Sequence, residues 1–226
     1  MINQTYKWNS ESQRFVKKFL NIKHPWKNNI FFKNILNSNI YNKKIKNILD
    51  VGCGNGKFLD NICLKTSVKK MGVETSSTSI NILKQKYKKI NFTKAYCHEL
   101  PFKDDSYDFV YAFMMLHCID RNNYLQSLGE LLRVTKKFLM IVDFDPSEPY
   151  FRKYKHKKKF YVYKDNYDLI LSNSGFLKKI NENRFYINEK NEICKTDKKI
   201  SSSDLRNHHM RKLTIYEKTI TLKKIK

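Results

Sequence analysis

The sequence has no apolar run long enough to cross a membrane. Its longest apolar stretches, Phe109–Leu116 and Phe138–Val142, fall far short of the roughly 20 residues that a transmembrane helix needs. The first ten residues carry no apolar core of the signal-peptide kind, and the five cysteines are scattered with no C-x-x-C pair. We therefore set aside a membrane-spanning chain, a disulfide framework and a zinc finger, and expect a reduced, cytoplasmic protein.

Arginine is also scarce, although the chain is strongly basic. Lysine and arginine total 45 against 21 acidic residues, which gives a formal net charge of +24, yet only seven of the 45 are arginine. Two interpretations stay open. A basic surface suits an anionic partner such as nucleic acid or a nucleotide-linked substrate, although surfaces that grip phosphates usually exploit the bidentate fork of arginine. An abundance of lysine, asparagine and isoleucine also follows from an A/T-rich genome.

The chain divides into three parts by pattern. Hydrophobic residues at 41% and a length of 226 residues suffice for one substantial core. Residues 1–44 predict an N-terminal helical cap, and residues 45–226 one domain. Within that domain, residues 45–145 alternate strands and helices, which is typical of a parallel sheet with crossover helices. Residues 146–226 predict an aromatic connector, a helix and two antiparallel strands, with 188–209 as a polar loop.

Seven strands are predicted. They cover about residues 45–51, 71–74, 92–96, 107–115, 138–144, 176–187 and 210–222.

The first of these strands ends in a glycine-rich turn, residues 52–56. Glycine lets the backbone turn tightly and approach a ligand where a Cβ atom would clash, and the N–H groups that open a helix suit a carboxylate or a phosphate. Glu74 ends the next strand, 18 residues after Gly56, which is close to the roughly 20-residue offset at which an acid binds ribose hydroxyls in dinucleotide folds. The turn, the acid and the βαβ context together predict a nucleotide-type cofactor site.

The spacing differs from the G-x-G-x-x-G fingerprint of nicotinamide-binding proteins. Instead, the string Asp50-Val51-Gly52-Cys53-Gly54-Asn55-Gly56 resembles motif I of class I S-adenosylmethionine-dependent methyltransferases. Leu100-Pro101-Phe102-Lys103-Asp104-Asp105-Ser106-Tyr107-Asp108-Phe109-Val110 resembles the L-P-F-x-D-x-S-F-D-x-V segment of the same superfamily, and Leu116-His117 and Leu131-Leu132-Arg133-Val134 continue the likeness. The resemblance covers about residues 45–145. It implies an α/β, Rossmann-like class I methyltransferase fold with a seven-stranded, mainly parallel sheet and an antiparallel C-terminal strand pair.

The resemblance also implies a set of contacts to the cofactor S-adenosylmethionine. Asp50 would orient its amino group, and Glu74 would hold its ribose hydroxyls. The methionine part would be contacted by Gly52, Cys53, Gly54 and Gly56 in the turn.

The adenine contact departs from the family pattern. Tyr96 stands where many relatives have an aspartate that binds the adenine amine. The backbone of Cys97 and the side chain of His98 are the substitute candidates.

Methyl transfer needs a general base only when the acceptor must lose a proton. His117, just beyond the fourth strand, and His156, in the connector, are the candidate catalytic residues, and each is alternatively a structural histidine. Asp143 and Asp145, at the end of the fifth strand, are rival bases that would otherwise cap the turn. The adjacent pair His208-His209 lacks metal-ligand spacing, so no metal is expected.

The connector points to a class of acceptor. Its Tyr154-Lys155-His156-Lys157 segment, followed by Tyr163-Lys164-Asp165-Asn166-Tyr167, resembles small bacterial methyltransferases of surface-carbohydrate pathways, including the pseudaminic-acid-associated methylases. This implies a small-molecule acceptor, either a sugar or a sugar nucleotide. Two alternatives stay open. The net charge and the lysine-rich, aromatic connector would also suit an RNA methyltransferase, and Tyr96 would also suit a non-catalytic cofactor-binding or scaffolding protein.

Overall fold

The computed structural model describes residues 8–20, 30–41, 43–62, 67–146, 148–154, 160–188, 193–196 and 210–219. No helix within these ranges is long and apolar enough to cross a membrane. The described chain begins with two helices, α1 (Trp8–Phe19) and α2 (Ile30–Leu36), and α2 continues into a π-helical turn, Asn37–Tyr41.

Strands and helices then alternate. In chain order they are β1 (Asn47–Val51), α3 (Lys57–Asn61), β2 (Lys69–Glu74), α4 (Ser77–Lys86), β3 (Asn91–Lys94), β4 (Tyr107–Phe113), a 3₁₀ turn (Leu116–Cys118), α5 (Tyr124–Val134), β5 (Thr135–Phe144), β6 (Tyr150–Lys153), β7 (Tyr161–Lys164), α6 (Tyr167–Ser172), β8 (Leu177–Ile187), β9 (Ile193–Thr196) and β10 (Arg211–Lys218).

Over the described residues, the main sheet has eight strands in the order β3-β2-β1-β4-β5-β10-β8-β9. The strands from β3 to β5 are parallel. The last three are antiparallel to their neighbours. The α/β class, the parallel core and the antiparallel C-terminal pair are therefore confirmed, whereas the predicted number of seven strands is wrong.

The eighth strand is β9, which lies inside residues 188–209, where the polar composition predicts a loop. It pairs with β8 over four residues, from Ile187↔Ile193 to Arg184↔Thr196. A four-residue strand carries too little alternation to stand out from the surrounding polar sequence.

The aromatic connector is also more regular than its composition predicts. Strands β6 and β7 form a separate antiparallel hairpin. Phe160 and Val162 are buried, at 2% and 4% exposure, and anchor this hairpin to the domain.

Helices cover both faces of the sheet. One buried cluster packs the helices α1, α2, α3 and α4 against one face of the sheet, through residues such as Val16, Phe32 and Phe109. The other joins α5 and α6 to the opposite face through residues such as Leu131 and Tyr167. This is the layered arrangement of a doubly wound domain, in which ligands bind beyond the carboxyl ends of the parallel strands.

Two of the segments that carry the family resemblance bind each other. The Arg133 guanidinium donates to the carbonyl oxygens of Leu100 (3.0 Å) and Phe102 (2.7 Å) and to Asp104 Oδ1 (2.8 Å). The Leu100 amide donates to Glu130 Oε2 at 2.8 Å. These motif residues hold the loop before β4 against α5, so their role is structural.

Lys218, at the end of β10, ties the last strand to the same junction. Its ammonium donates to Asp105 Oδ1 (2.6 Å), Thr135 O (2.8 Å) and Leu132 O (3.1 Å), and its side chain is only 3% exposed.

We expect the Lys218→Met variant to lose about 2–4 kcal/mol of unfolding free energy, because it leaves a partly buried carboxylate and two carbonyl groups without their donor. Urea unfolding with a constant m-value measures this loss. The exposed Lys178 on β8 supplies the control, since Lys178→Met removes a charge without a buried partner. Equal losses in the two variants would contradict the prediction.

Candidate functional site

The strand order changes direction between β1 and β4, which makes this position the topological switch point of the sheet. From β1 the chain crosses to β2 and β3 on one side, and β4 and β5 lie on the other side. In open α/β sheets, ligands bind in the crevice beyond the carboxyl ends of the strands at such a switch point. Here that crevice lies between the glycine turn after β1 and the 3₁₀ turn after β4. The two turns touch, because a Cβ atom on Gly52 would lie 2.3 Å from Cγ of Met115.

The glycine turn has a backbone conformation that favours glycine. Gly52, Gly54 and Gly56 have φ angles of 74°, 53° and 70°, in the left-handed region where a Cβ atom is strained. The amides of Gly52 and Cys53 both donate to Val73 O at 2.9 Å. The turn is therefore fastened to the end of β2.

Glu74 also binds the glycine turn to the end of β2. Its Oε2 accepts from the Gly54 amide at 3.0 Å, and its Oε1 accepts from the Thr75 amide at 2.7 Å. The side chain lies at the mouth of the crevice and is 7% exposed. The Thr75 hydroxyl donates to Oε1 as well, at 3.2 Å. A carboxylate has about four lone-pair positions, so Glu74 keeps an acceptor position on Oε2 for a hydroxyl group, as its predicted role with a ribose requires.

Asp50 is the second-last residue of β1 and is buried, at 2% exposure. Its Oδ1 has no hydrogen-bond partner among the described residues. Burial raises the pKa of Asp50 well above its usual range, and the negative charge of Glu74 raises it further, while a hydrogen bond with Tyr111 lowers it. A buried carboxylate oxygen in this position fits a cationic group such as the amino group of methionine.

The N-terminal helix lies across the crevice. The ring of Phe15 covers Gly54, whose added Cβ atom would lie 3.2 Å from Phe15 Cε1. A hydrogen bond of 3.0 Å between Ser12 Oγ and Ser79 Oγ links α1 to α4. Asn9 Nδ2 donates to the Tyr96 hydroxyl at 3.1 Å. Helix α1 therefore covers the turn and reaches the end of β3.

The residues expected near the adenine lie at this end. The rings of Tyr96 and His98 stack with centroids 5.6 Å apart, which makes a flat surface beyond β3. The Cys97 thiol points away from it, since its Sγ lies 3.9 Å from Ser127 O in the core, and burial raises its pKa to about 12. Burial also raises the pKa of the Cys53 thiol. Any contact of Cys53 or Cys97 with a cofactor would therefore come from the backbone.

His117 and Asp143 form a pair on the other side of the switch point. His117 Nδ1 lies 2.9 Å from Asp143 Oδ1, and the His117 amide donates to Asp143 Oδ2 at 3.3 Å. Burial opposes the charged imidazolium, but negative charge on Cys118 and Asp143 and hydrogen bonds to both outweigh it and raise the pKa of His117 to about 10. Asp143 therefore favours the charged form of His117.

The other candidate bases are placed differently. Asp145 forms ion pairs with Arg184 at 2.7 Å and with Lys212 at 3.0 Å, which occupy its carboxylate in holding β8 and β10. His156 and the pair His208-His209 lie outside the described residues, so the role of His156 stays a prediction.

Two basic residues that the sequence interpretation did not single out lie beside His117. Lys164 is 2% exposed, and its Nζ lies 3.7 Å from the centroid of the Phe144 ring. Arg211 Cζ lies 5.3 Å from the same centroid. The alternation of Val162 and Lys164 in β7 was the available signal, because it places a lysine on the buried face of a strand.

The comparisons with known proteins agree with this geometry. Residues 48–137 match the family described as a methyltransferase domain. The ubiquinone/menaquinone biosynthesis C-methyltransferase of Geotalea daltonii is 35% identical over 136 residues, which are 54% of this chain and 57% of that protein. The chain spans about half the length of the curated relatives it matches.

Solved structures share the fold. The 1,6-didemethyltoxoflavin-N1-methyltransferase of Burkholderia thailandensis, determined with bound S-adenosylhomocysteine, has a TM-score of 0.60 at 13% identity, covering 95% of this chain and 85% of that one. The cyclase SpnF has a TM-score of 0.63 at 12% identity, covering 97% and 96%. Residues 48–137 thus match a methyltransferase-domain family, and the chain shares its fold with S-adenosylmethionine-dependent methyltransferases of known structure.

Proposed function

We propose that this chain transfers the methyl group of S-adenosylmethionine to a small-molecule acceptor. The observation that carries the proposal is the buried Asp50 oxygen, which lacks a partner among the described residues and lies at the start of a left-handed glycine turn. When bound, the cofactor supplies an electrophilic methyl group. The protein must mainly align donor and acceptor, and orientation can lower a barrier by roughly 7–11 kcal/mol.

In this proposal the two carboxylates divide the cofactor between them. Asp50 takes the amino group of the methionine part, and Glu74 takes the ribose hydroxyls. The stacked rings of Tyr96 and His98 form the wall for the adenine, together with the backbone of Cys97. Phe15 covers the methionine side, so α1 excludes water from the crevice.

In this proposal His117 contacts the acceptor, and Asp143 fixes the orientation of its ring. The neutral form of His117 would take the proton that a hydroxyl acceptor loses on methylation, and the charged form would donate a hydrogen bond to an acceptor oxygen that is already anionic. The raised pKa of His117 favours the second role.

The acceptor class rests on the connector pattern. A sugar or a sugar nucleotide is our first candidate, and RNA is the alternative that the net charge of +24 favours. A non-catalytic cofactor-binding or scaffolding protein is the third candidate, because Tyr96 stands where many relatives have the aspartate that binds the adenine amine. A cytoplasmic, reducing location forms part of the proposal and suits the four described cysteines, which are free thiols.

Transfer of a labelled methyl group separates these acceptors. We expect label from S-adenosylmethionine in the sugar-nucleotide fraction when the chain is incubated with a whole bacterial extract that is afterwards separated into a sugar-nucleotide fraction and an RNA fraction. Label in RNA, with binding that weakens steeply as salt rises, would favour the RNA alternative. Cofactor binding without label in either fraction would favour the non-catalytic candidate.

The Gly54→Ala variant tests the cofactor turn. We expect at least a tenfold loss of affinity for S-adenosylhomocysteine in calorimetric titration, because the new Cβ atom strains the turn and pushes on Phe15. Gly175→Ala is the matched control, since Gly175 has a φ of 77° but lies at the end of α6 with open space around it. Equal affinities of the two variants would contradict the site.

The Asp50→Asn variant tests the buried carboxylate. The folded-state pKa of Asp50 is raised, so its ionisation costs stability as the pH rises above the value for the unfolded chain, near 4. We expect Asp50→Asn to remove that decline, so that the free protein keeps or gains stability at pH 7 while its affinity for the cofactor falls.

The control for this variant is Asp108, a buried carboxylate with partners. It accepts from the Lys46 amide at 2.8 Å and pairs with Lys137 at 3.0 Å, so Asp108→Asn should lower stability and leave cofactor affinity unchanged. Unfolding monitored between pH 4 and 8, with and without S-adenosylhomocysteine, distinguishes the two. Wild-type affinity in Asp50→Asn would remove Asp50 from the site.

A further inference from the structure

Three basic side chains converge on the ring of Phe144. Lys164 Nζ lies 3.7 Å from its centroid and Arg211 Cζ lies 5.3 Å from it. The imidazole of His117 meets its edge at a centroid distance of 4.9 Å. The three come from β7, β10 and the 3₁₀ turn after β4, so only the folded chain brings them together.

This cluster lies at the acceptor side of the crevice. Phe144 ends β5, the strand next to β4, and Arg211 lies opposite it in the register of β10. Lys164 lies opposite Tyr150 in the hairpin. The centroid of the Tyr150 ring is 5.3 Å from Lys164 Nζ. The same carboxyl edge of the sheet carries Met115, which touches the glycine turn.

Positive charge is crowded in this cluster. Burial, with the neighbouring charges of Arg152 and Arg211, lowers the pKa of Lys164 to about 7. Burial also lowers the pKa of Arg211 to about 10. Asp143, whose Oδ1 also binds His117 and the amide of Phe144, raises both pKa values. An anion placed beside these cations would offset the repulsion among them.

We propose that Lys164, Arg211 and His117 bind an anionic oxygen group, a carboxylate or a phosphate, on the methyl acceptor. This inference rests on the proposed function and narrows its substrate class to charged acceptors. The rings of Phe144 and Tyr150 form an apolar wall beside the anion, which excludes water and strengthens the contact with each cation.

The test uses three probes on the full chain in the presence of S-adenosylhomocysteine. Inorganic phosphate and benzoate carry the two anionic groups, and benzamide is the neutral isostere of benzoate. We expect calorimetric binding of at least one anion and none of benzamide. Phosphate alone points to a phosphorylated acceptor, and benzoate alone to an acid. Failure of both anions to bind at millimolar concentration would overturn the inference.

The Lys164→Gln variant should lower the affinity for the anion at least tenfold. Lys136, exposed at the opposite end of β5, supplies the control Lys136→Gln. Affinity for S-adenosylhomocysteine should be wild-type in both, which separates failure of this inference from failure of the cofactor site. Equal anion affinities in the two variants would overturn the inference.

Wild-type protein provides a second readout that needs no variant to fold. The charged and titratable groups around Lys164 are Arg152, Arg211, Asp143 and Tyr150, together with His117 on the same Phe144 ring. With a pKa of about 7, Lys164 is largely neutral at pH 8, so a bound anion should draw a proton onto it. Benzoate titrated in buffers of different ionisation enthalpy should show uptake of nearly one proton. Binding without proton uptake would contradict the role of Lys164.

Discussion

The site depends on one hydrogen bond, from the Gly54 amide to Glu74 Oε2, at 3.0 Å. It can form only because the chain turns through left-handed angles directly after β1, and because β2 runs parallel to β1 and ends in an acid. Parallel pairing brings the two strand ends to the same edge of the sheet. The bond then sets the distance between the turn and the carboxylate, so that one cofactor can touch both.

The crevice is closed by elements that lie far apart in sequence. Helix α1 covers the turn with Phe15 and reaches β3 through Asn9 and Tyr96. On the other side, Asp143 orients His117 and the hairpin presents Lys164. In our proposal the cofactor end is thus bounded by carboxylates and the acceptor end by cations. That polarity suits a positively charged methyl donor and the negatively charged acceptor that we propose.

The buried cations also bear on the two interpretations of the net charge. A bias in genome composition adds lysine most readily on the surface, where a solvated ammonium costs little. Lys164 is 2% exposed and lies against an aromatic ring, so composition alone does not account for it. The many exposed lysines and this cluster therefore need separate explanations.

Local sequence was enough to predict the α/β class, the parallel core and the antiparallel C-terminal strands. The glycine turn and Glu74 were also visible, because left-handed turns and strand ends depend on residues close together in the chain. The strand β9 was missed, because four residues carry too little pattern. Motif residues such as Arg133 and Asp104 proved to be structural, since only the fold shows that they bind each other.

Tertiary structure alone decided the acceptor side. His117, Asp143, Lys164 and Arg211 span almost 100 residues of sequence, and no local pattern joins them. They meet because β4, β5 and β10 are neighbours in the sheet and the hairpin packs beside them. Sequence could name His117 as a candidate base, but the carboxylate that binds its ring comes from another strand. The charge of a buried group depends on its neighbours in space, and only the fold determines those.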